Sequence, residues 1–238
     1  MKIEKKQANI YSPIKHRYSL ALREIKSTFP QILDVGGYIS RNEVINKYFD
    51  SYDYKSINVG SAWYSDVQCD YLYDGEHLPF DRDSFDYLIS IDTLEHILDN
   101  RRSHFINEMK RVAKKQAIIV TPFRIEGIPT YENYVLRLCK QHNIEAPPAI
   151  VEHEAYGLPF LDEIESFAKI YSGNIKLATI KHDYWHLQIS MLWNSIALQC
   201  NSEIINRELQ IFQEKLHESQ PDPTNPIDAY RCVLCFDN

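Results

Sequence analysis

Three short segments, Ile32 to Val35, Phe85 to Ile91 and Ala117 to Val120, carry apolar residues in succession rather than in alternation. That pattern suits strands covered on both faces, as in parallel sheets sandwiched between helices. Tyr54 to Val59 adds a fourth strand-like run. Helical patterns separate them: Ser40 and Glu43 have capping-box spacing ahead of a stripe of Val44, Ile45, Tyr48 and Phe49, and Phe105, Met109 and Val112 form a later stripe. Strand and helix alternate, which predicts an α/β fold with parallel strands and helices on both faces.

A helix is expected before the first strand, capped by Ser12, opened by Pro13 and ended by Pro30, with Tyr18, Leu22, Ile25 and Phe29 on one face. After Thr121-Pro122-Phe123 the pattern changes. Helices are expected at Tyr131 to His142 and from about Leu161 to Tyr171, with a break at Pro147-Pro148. "NIKLATIKH" reads as a strand, "YWHLQISMLWNSIALQ" as an apolar helix continued by a charged one to about Glu218, and "AYRCVLCF" as a last strand.

The 238 residues are 44% apolar, enough for one full core, so a single domain over 1–238 is expected. Its core would span 14–125, a helical cover with one strand 126–220, and the last strand 229–236. A formal charge of -7 without a basic tract argues against a nucleic-acid partner. No apolar run reaches the roughly 18 residues of a membrane span, and "MKIEKKQANIYSPIKH" lacks the apolar centre of a signal peptide. A cytoplasmic location is expected, and the five scattered cysteines suit reduced thiols.

In open parallel sheets, ligands sit beyond the carboxyl ends of the strands. Four polar or glycine-containing turns follow strand-like runs there: Asp34 to Ser40, Asn58 to Ala62, Asp74 to His77 and Ile91 to His96. "ILDVGG", "DGEHLPFDRDSFDYLISIDTLEHI" and "EMKRVAKKQAIIVTPF", in that order within residues 14–123, resemble the successive motifs of class I S-adenosylmethionine-dependent methyltransferases. The likeness is to the small-molecule and glycan-associated, methyltransferase type 11-like branch. It implies a Rossmann-like, doubly wound, mostly parallel seven-stranded sheet with an antiparallel last strand and added helices. It also implies S-adenosylmethionine as cofactor. Carried onto this sequence, the motifs put Asp34 toward the methionine amine, directly or through water, and Gly36 and Gly37 where backbone approaches the nucleoside. Asn58 falls at the ribose, Asp74 and the Gly75 amide at the adenine, and Ile91-Asp92 beneath the methionine portion.

Two motifs depart from that pattern. The family places glycines second, fourth and sixth after the strand-end acid, where this chain has Gly36, Tyr38 and Ser40. The family's ribose-binding acid is replaced by Asn58, which keeps hydrogen-bonding capacity but loses charge assistance, so weaker cofactor binding is expected.

Methyl transfer needs alignment more than a reactive side chain. A hydroxyl acceptor would still gain from a general base, and His153 in "VEHEAYGLPF" and His96 after the fourth strand are the candidates. No metal is expected: His182 and His186 lack a third ligand at a recognisable spacing, and Cys232 and Cys235 would point to opposite faces of a strand. Tyr184, Trp185 and Trp193 could cover an acceptor but read first as helix packing.

Three functions compete on this basis. The first is a methyltransferase acting on a small molecule or glycan precursor. The second is a catalytically inactive binding or scaffold protein of the same fold, suggested by Tyr38, Ser40 and Asn58, whose partner could be a second copy in a homodimer. The third, a dinucleotide-dependent oxidoreductase, lacks G-x-G-x-x-G after the first strand.

Overall fold

The computed structural model describes residues 13–37, 53–60, 69–128, 130–143, 145–146, 148–179 and 229–238. Its strands are β1 (Gln31–Val35), β2 (Asp53–Val59), β3 (Tyr71–Tyr73), β4 (Phe85–Ile91), β5 (Ala113–Thr121), β6 (Asn174–Thr179) and β7 (Ala229–Asp237). Its helices are α1 (Pro13–Leu22), α2 (Asp99–Val112), α3 (Tyr131–His142), α4 (Pro148–Tyr156) and α5 (Leu161–Ile170). The strands make one seven-stranded sheet in the order β3-β2-β1-β4-β5-β7-β6. β1 to β5 pair in parallel, while β7 runs antiparallel to both β5 and β6.

Each central strand feeds two cores. Leu33, Val35, Leu88 and Ile119 pack with α2 and α5 on one face, and Ile32, Ile89, Ile118 and Val120 pack with α1 on the other. This explains why the strands read as unbroken apolar runs. Cys232 and Cys235 obey the same alternation, one in each layer. The strand order reverses between β1 and β4, and that crevice is where open α/β sheets hold ligands.

The first helix is shorter than its apolar spacing predicts. It ends at Leu22, and Phe29 stands 79% exposed at φ 53. The intervening chain is pinned to the sheet instead: the Ser27 hydroxyl lies 3.0 Å from the Tyr87 hydroxyl and accepts from Lys115 Nζ at 3.1 Å. The three-residue β3 is too short and exposed to leave a periodic signal. The Pro147-Pro148 break opens α4, with Pro148 in the first helical position where its missing N–H costs nothing. The Ser40–Glu43 cap, its helix, and the helices expected from Tyr184 to Glu218 lie outside the described residues.

Glu108 and Arg111 fasten α2 to the Leu78-Pro79-Phe80 segment. Glu108 accepts the Leu78 N–H at 3.0 Å, while Arg111 donates to the Leu78 and Phe80 carbonyls at 2.9 and 2.7 Å and to Glu108. The Arg111 hydrogen bond, outweighing burial, holds the Glu108 carboxyl below its usual range. A depressed folded pKa adds stability above the unfolded value of about 4.3, lost as pH falls through the folded pKa. Glu108→Gln is therefore expected to cost about 1 to 3 kcal/mol at pH 7 and to flatten the acid limb of stability. Urea melts at pH 7 and pH 3 check this, and equal losses at both would contradict it.

Candidate functional site

The turn after β1 is built around a buried acid. Asp34 is 1% exposed, and its Oδ2 accepts the Tyr18 hydroxyl of α1 at 2.6 Å and the Tyr54 hydroxyl of β2. Burial, and then the Asp34 charge, push the Tyr54 phenol well above its ordinary pKa, so it remains a donor. Gly36 follows at φ +89, its N–H bonded to the Ile57 carbonyl at 2.8 Å, and a side chain there would overlap Thr93 Oγ1. A side chain on Gly37 would overlap the Asp34 carboxylate.

Asn58 accounts for one departure from the expected pattern. Its Nδ2 donates to the Gly36 and Gly37 carbonyls at 3.2 and 3.4 Å, and its Oδ1 accepts the Val59 N–H at 2.8 Å. A carboxylate could not donate to those carbonyls. Both the Asp34 and Asn58 side chains are engaged by the protein's own groups and shape the turn. Asp74 stands at the exposed end of β3, where Oδ1 accepts the N–H groups of Glu76 and His77 at 2.7 and 2.9 Å. Gly75 beside it has φ +82.

β4 ends at Ile91, and Asp92 takes a left-handed φ of 52. Its carboxylate bridges Arg17 of α1 and Arg231 of β7, the latter at 2.7 Å. Burial opposes ionisation here, but the two guanidinium groups override it and hold the acid well below the carboxylate range.

A single 3₁₀ turn, Leu94–His96, carries the next cluster. Glu95 is 1% exposed and accepts the Thr121 hydroxyl at 3.2 Å. Burial and the Asp92 charge push its pKa up to about 7, against Arg231. The structure brings His96 and His153 together, with their Nε2 atoms 3.3 Å apart. Each Nδ1 faces a carboxylate: His96 meets Glu152 at 3.0 Å, and His153 meets Glu132 at 3.3 Å. Burial and the His153 charge lower the His96 pKa; for His153, the Glu132 hydrogen bond and the Glu95 charge outweigh burial and raise it.

The local sequence sets these positions. Thr130 and Asn133 form a reciprocal capping box that starts α3 and fixes Glu132 in its first turn. His153 lies in the last turn of α4, where its carbonyl accepts the Gly157 N–H at 2.9 Å. Arg102 of α2, 2% exposed, donates to the Gly157 carbonyl, to Ile97 at 3.0 Å and to Glu163 at 2.8 Å. Beyond His153 opens a cavity of about 210 Å³ whose walls include Arg124, Glu126, Thr130, Glu132 and Phe160.

Sequence reasoning found both histidines but missed Glu95, Glu132 and Glu152, as well as the Arg17 and Arg231 pair. Glu-His dipeptides at 95–96 and 152–153 are a signal, but Glu76-His77 is a third and sits apart from the cluster, so the dipeptide alone does not discriminate. Tyr38, Ser40, His182, Tyr184, Trp185, His186 and Trp193 lie outside the described residues. Among the described residues no helix is long and apolar enough to cross a membrane.

Residues 52–121 match the sequence profile of a family described as a methyltransferase domain. No curated protein matches the sequence. Solved structures share the fold. A protein from Anabaena variabilis described as a methyltransferase of an antibiotic biosynthesis pathway superimposes with a TM-score of 0.61 at 14% identity, over 93% of this chain and 96% of the other. The geranyl diphosphate C-methyltransferase of Streptomyces coelicolor, solved with Mg2+, a substrate analogue and S-adenosylhomocysteine, gives 0.57 at 10% identity over 94% and 75%. A phosphoethanolamine N-methyltransferase of Haemonchus contortus, solved with phosphomonomethylethanolamine and S-adenosylhomocysteine, gives 0.51 at 16% identity over 94% of this chain and 52% of the other. This chain therefore spans about half the length of that enzyme. The chain has the fold of the class I S-adenosylmethionine-dependent methyltransferases and matches their methyltransferase domain over residues 52–121.

Proposed function

We propose that the chain is an S-adenosylmethionine-dependent methyltransferase acting on a small-molecule or glycan-precursor acceptor. The observation that carries this reading is the placement of Gly36-Gly37, Asp74-Gly75 and Asp92 just past the carboxyl ends of β1, β3 and β4 in one parallel sheet, in a chain matching a methyltransferase domain. The S-adenosylhomocysteine in the Streptomyces and Haemonchus structures supports it.

The residues present fit such a cofactor. Gly36 and Gly37 keep the turn after β1 free of side chains where Thr93 and Asp34 come close, and Asn58 holds their two carbonyls. Asp74 commits Oδ1 to its own turn, and its exposed carboxylate faces outward to accept from an adenine amino group. Bound there, S-adenosylmethionine would supply an activated methyl group, the sulfonium sulfur being a good leaving group for in-line displacement by an acceptor. This reading assigns the acceptor to the neighbourhood of His96 and His153, the latter lining the cavity. The same reading includes a cytoplasmic location.

Incubating the full chain with methyl-labelled S-adenosylmethionine and a panel of hydroxyl-bearing sugars and small molecules is expected to move label to an acceptor. Under this reading Asp74→Ala weakens S-adenosylhomocysteine binding about tenfold or more, the worth of one charge-assisted hydrogen bond. Unchanged affinity in a folded variant would remove Asp74 from the adenine site.

A further inference from the structure

We propose that Glu95, His96 and His153 form a binding site for one divalent transition-metal ion of the zinc type. The ligand atoms of the three residues lie within 4.8 Å of one another. The two Nε2 atoms are 3.3 Å apart. Two nitrogens about 2.0–2.1 Å from a tetrahedral zinc ion stand about 3.3 to 3.4 Å from each other, so the imidazoles already hold the chord such an ion requires. The Glu95 carboxylate lies within 4.8 Å of both, so the cluster would contract around a bound ion to bring it to bonding distance.

The surroundings favour ligation over a solitary base. Both Nδ1 atoms are turned to carboxylates, Glu152 for His96 and Glu132 for His153. That arrangement fixes the tautomer with its proton on Nδ1 and directs each Nε2 lone pair inward, as carboxylate partners do for metal-bound histidines. Without an ion, two lone pairs would face each other at 3.3 Å, and a proton must intervene. The third ligand is buried and oriented by the Thr121 hydroxyl.

The elements that deliver these ligands are also suited to the task. Glu95 and His96 sit in one 3₁₀ turn, and His153 comes from the last turn of α4 across from it. Two histidines and one carboxylate leave a coordination position open, as in catalytic zinc centres. The cavity beyond His153 borders the cluster on that residue's side. On the methyltransferase reading, an ion there would orient an acceptor oxygen and favour loss of its proton. Metal binding itself rests on the geometry alone.

The test is calorimetric titration of the chelator-treated full chain with ZnCl2, repeated with CoCl2 while recording the visible spectrum. The expected result is one equivalent of zinc and a tetrahedral cobalt spectrum. His96→Ala and His153→Ala should abolish both, and Glu132→Gln should weaken zinc binding about tenfold or more. His104→Ala, outside the cluster, should leave binding unchanged. Circular dichroism confirms that each variant is folded, and a cysteine-to-serine variant at Cys69, which lies apart from the cluster, should bind as the parent does. No saturable one-equivalent binding, or binding that survives both histidine substitutions, overturns the proposal. Zinc binding without any affinity for S-adenosylhomocysteine would uphold the ion site and sink the methyltransferase reading, so the two fail separately.

Discussion

Replacing Arg102 with methionine is expected to destabilise the protein by about 3 kcal/mol or more, because it deletes one partner of a largely buried ion pair. The guanidinium is 2% exposed and joins three parts of the chain: the Ile97 carbonyl before α2, Glu163 in the first turn of α5, and the Gly157 carbonyl after α4. Methionine fills much of the volume but leaves two carbonyls and a carboxylate without that donor. Glu163→Gln keeps an amide oxygen to accept but leaves the buried guanidinium without its counter-charge, so it should cost a comparable amount, about 3 kcal/mol. Equilibrium urea denaturation measures both. A loss below about 1 kcal/mol for Arg102→Met would contradict the buried-junction account. Since Gly157 also bonds the His153 carbonyl, the same substitution should loosen the histidine pair.

Gly36→Ala is expected to cost about 2 to 4 kcal/mol, combining left-handed backbone strain with overpacking. The glycine has φ +89, and the added methyl would meet the Thr93 side chain. Those causes can be separated. Thr93→Ala removes the overlap but not the strain, so the double variant should recover about 1 to 2 kcal/mol relative to additivity. Denaturant melts of the two single variants and the double variant complete the cycle, and additive losses would assign the whole effect to the backbone. The turn's substitution cost follows from its place between β1 and the Thr93 segment, independent of any ligand.

Much of the fold was legible because burial on both faces leaves a direct mark on composition. Ile89 and Leu88 are adjacent in sequence yet enter opposite cores, so β4 has no polar face and reads as one apolar run. β3 and α4 carry no such mark: one is three largely exposed residues, and the other begins at a proline that reads as a break. The candidate site was legible where backbone chemistry decides, at Gly36 and Gly75, whose positive φ only glycine adopts freely. It was not legible where partners come from distant segments. Asn58 stands at the ribose acid's place in the motif order, and nothing in the sequence marks its bonds to the Gly36 and Gly37 carbonyls. His96 and His153, 57 residues apart, form a pair only because α4 docks over the turn that follows β4.

With Tyr38 and Ser40 at the later glycine positions of the motif, the turn after β1 is still expected to admit an adenosyl ligand. Calorimetric titration of the full chain with S-adenosylhomocysteine tests it most directly. The account predicts one ligand bound per chain, a rise in melting temperature that grows with ligand concentration, and a weaker affinity in Asp74→Ala. No heat of binding and no thermal shift at millimolar ligand would contradict it.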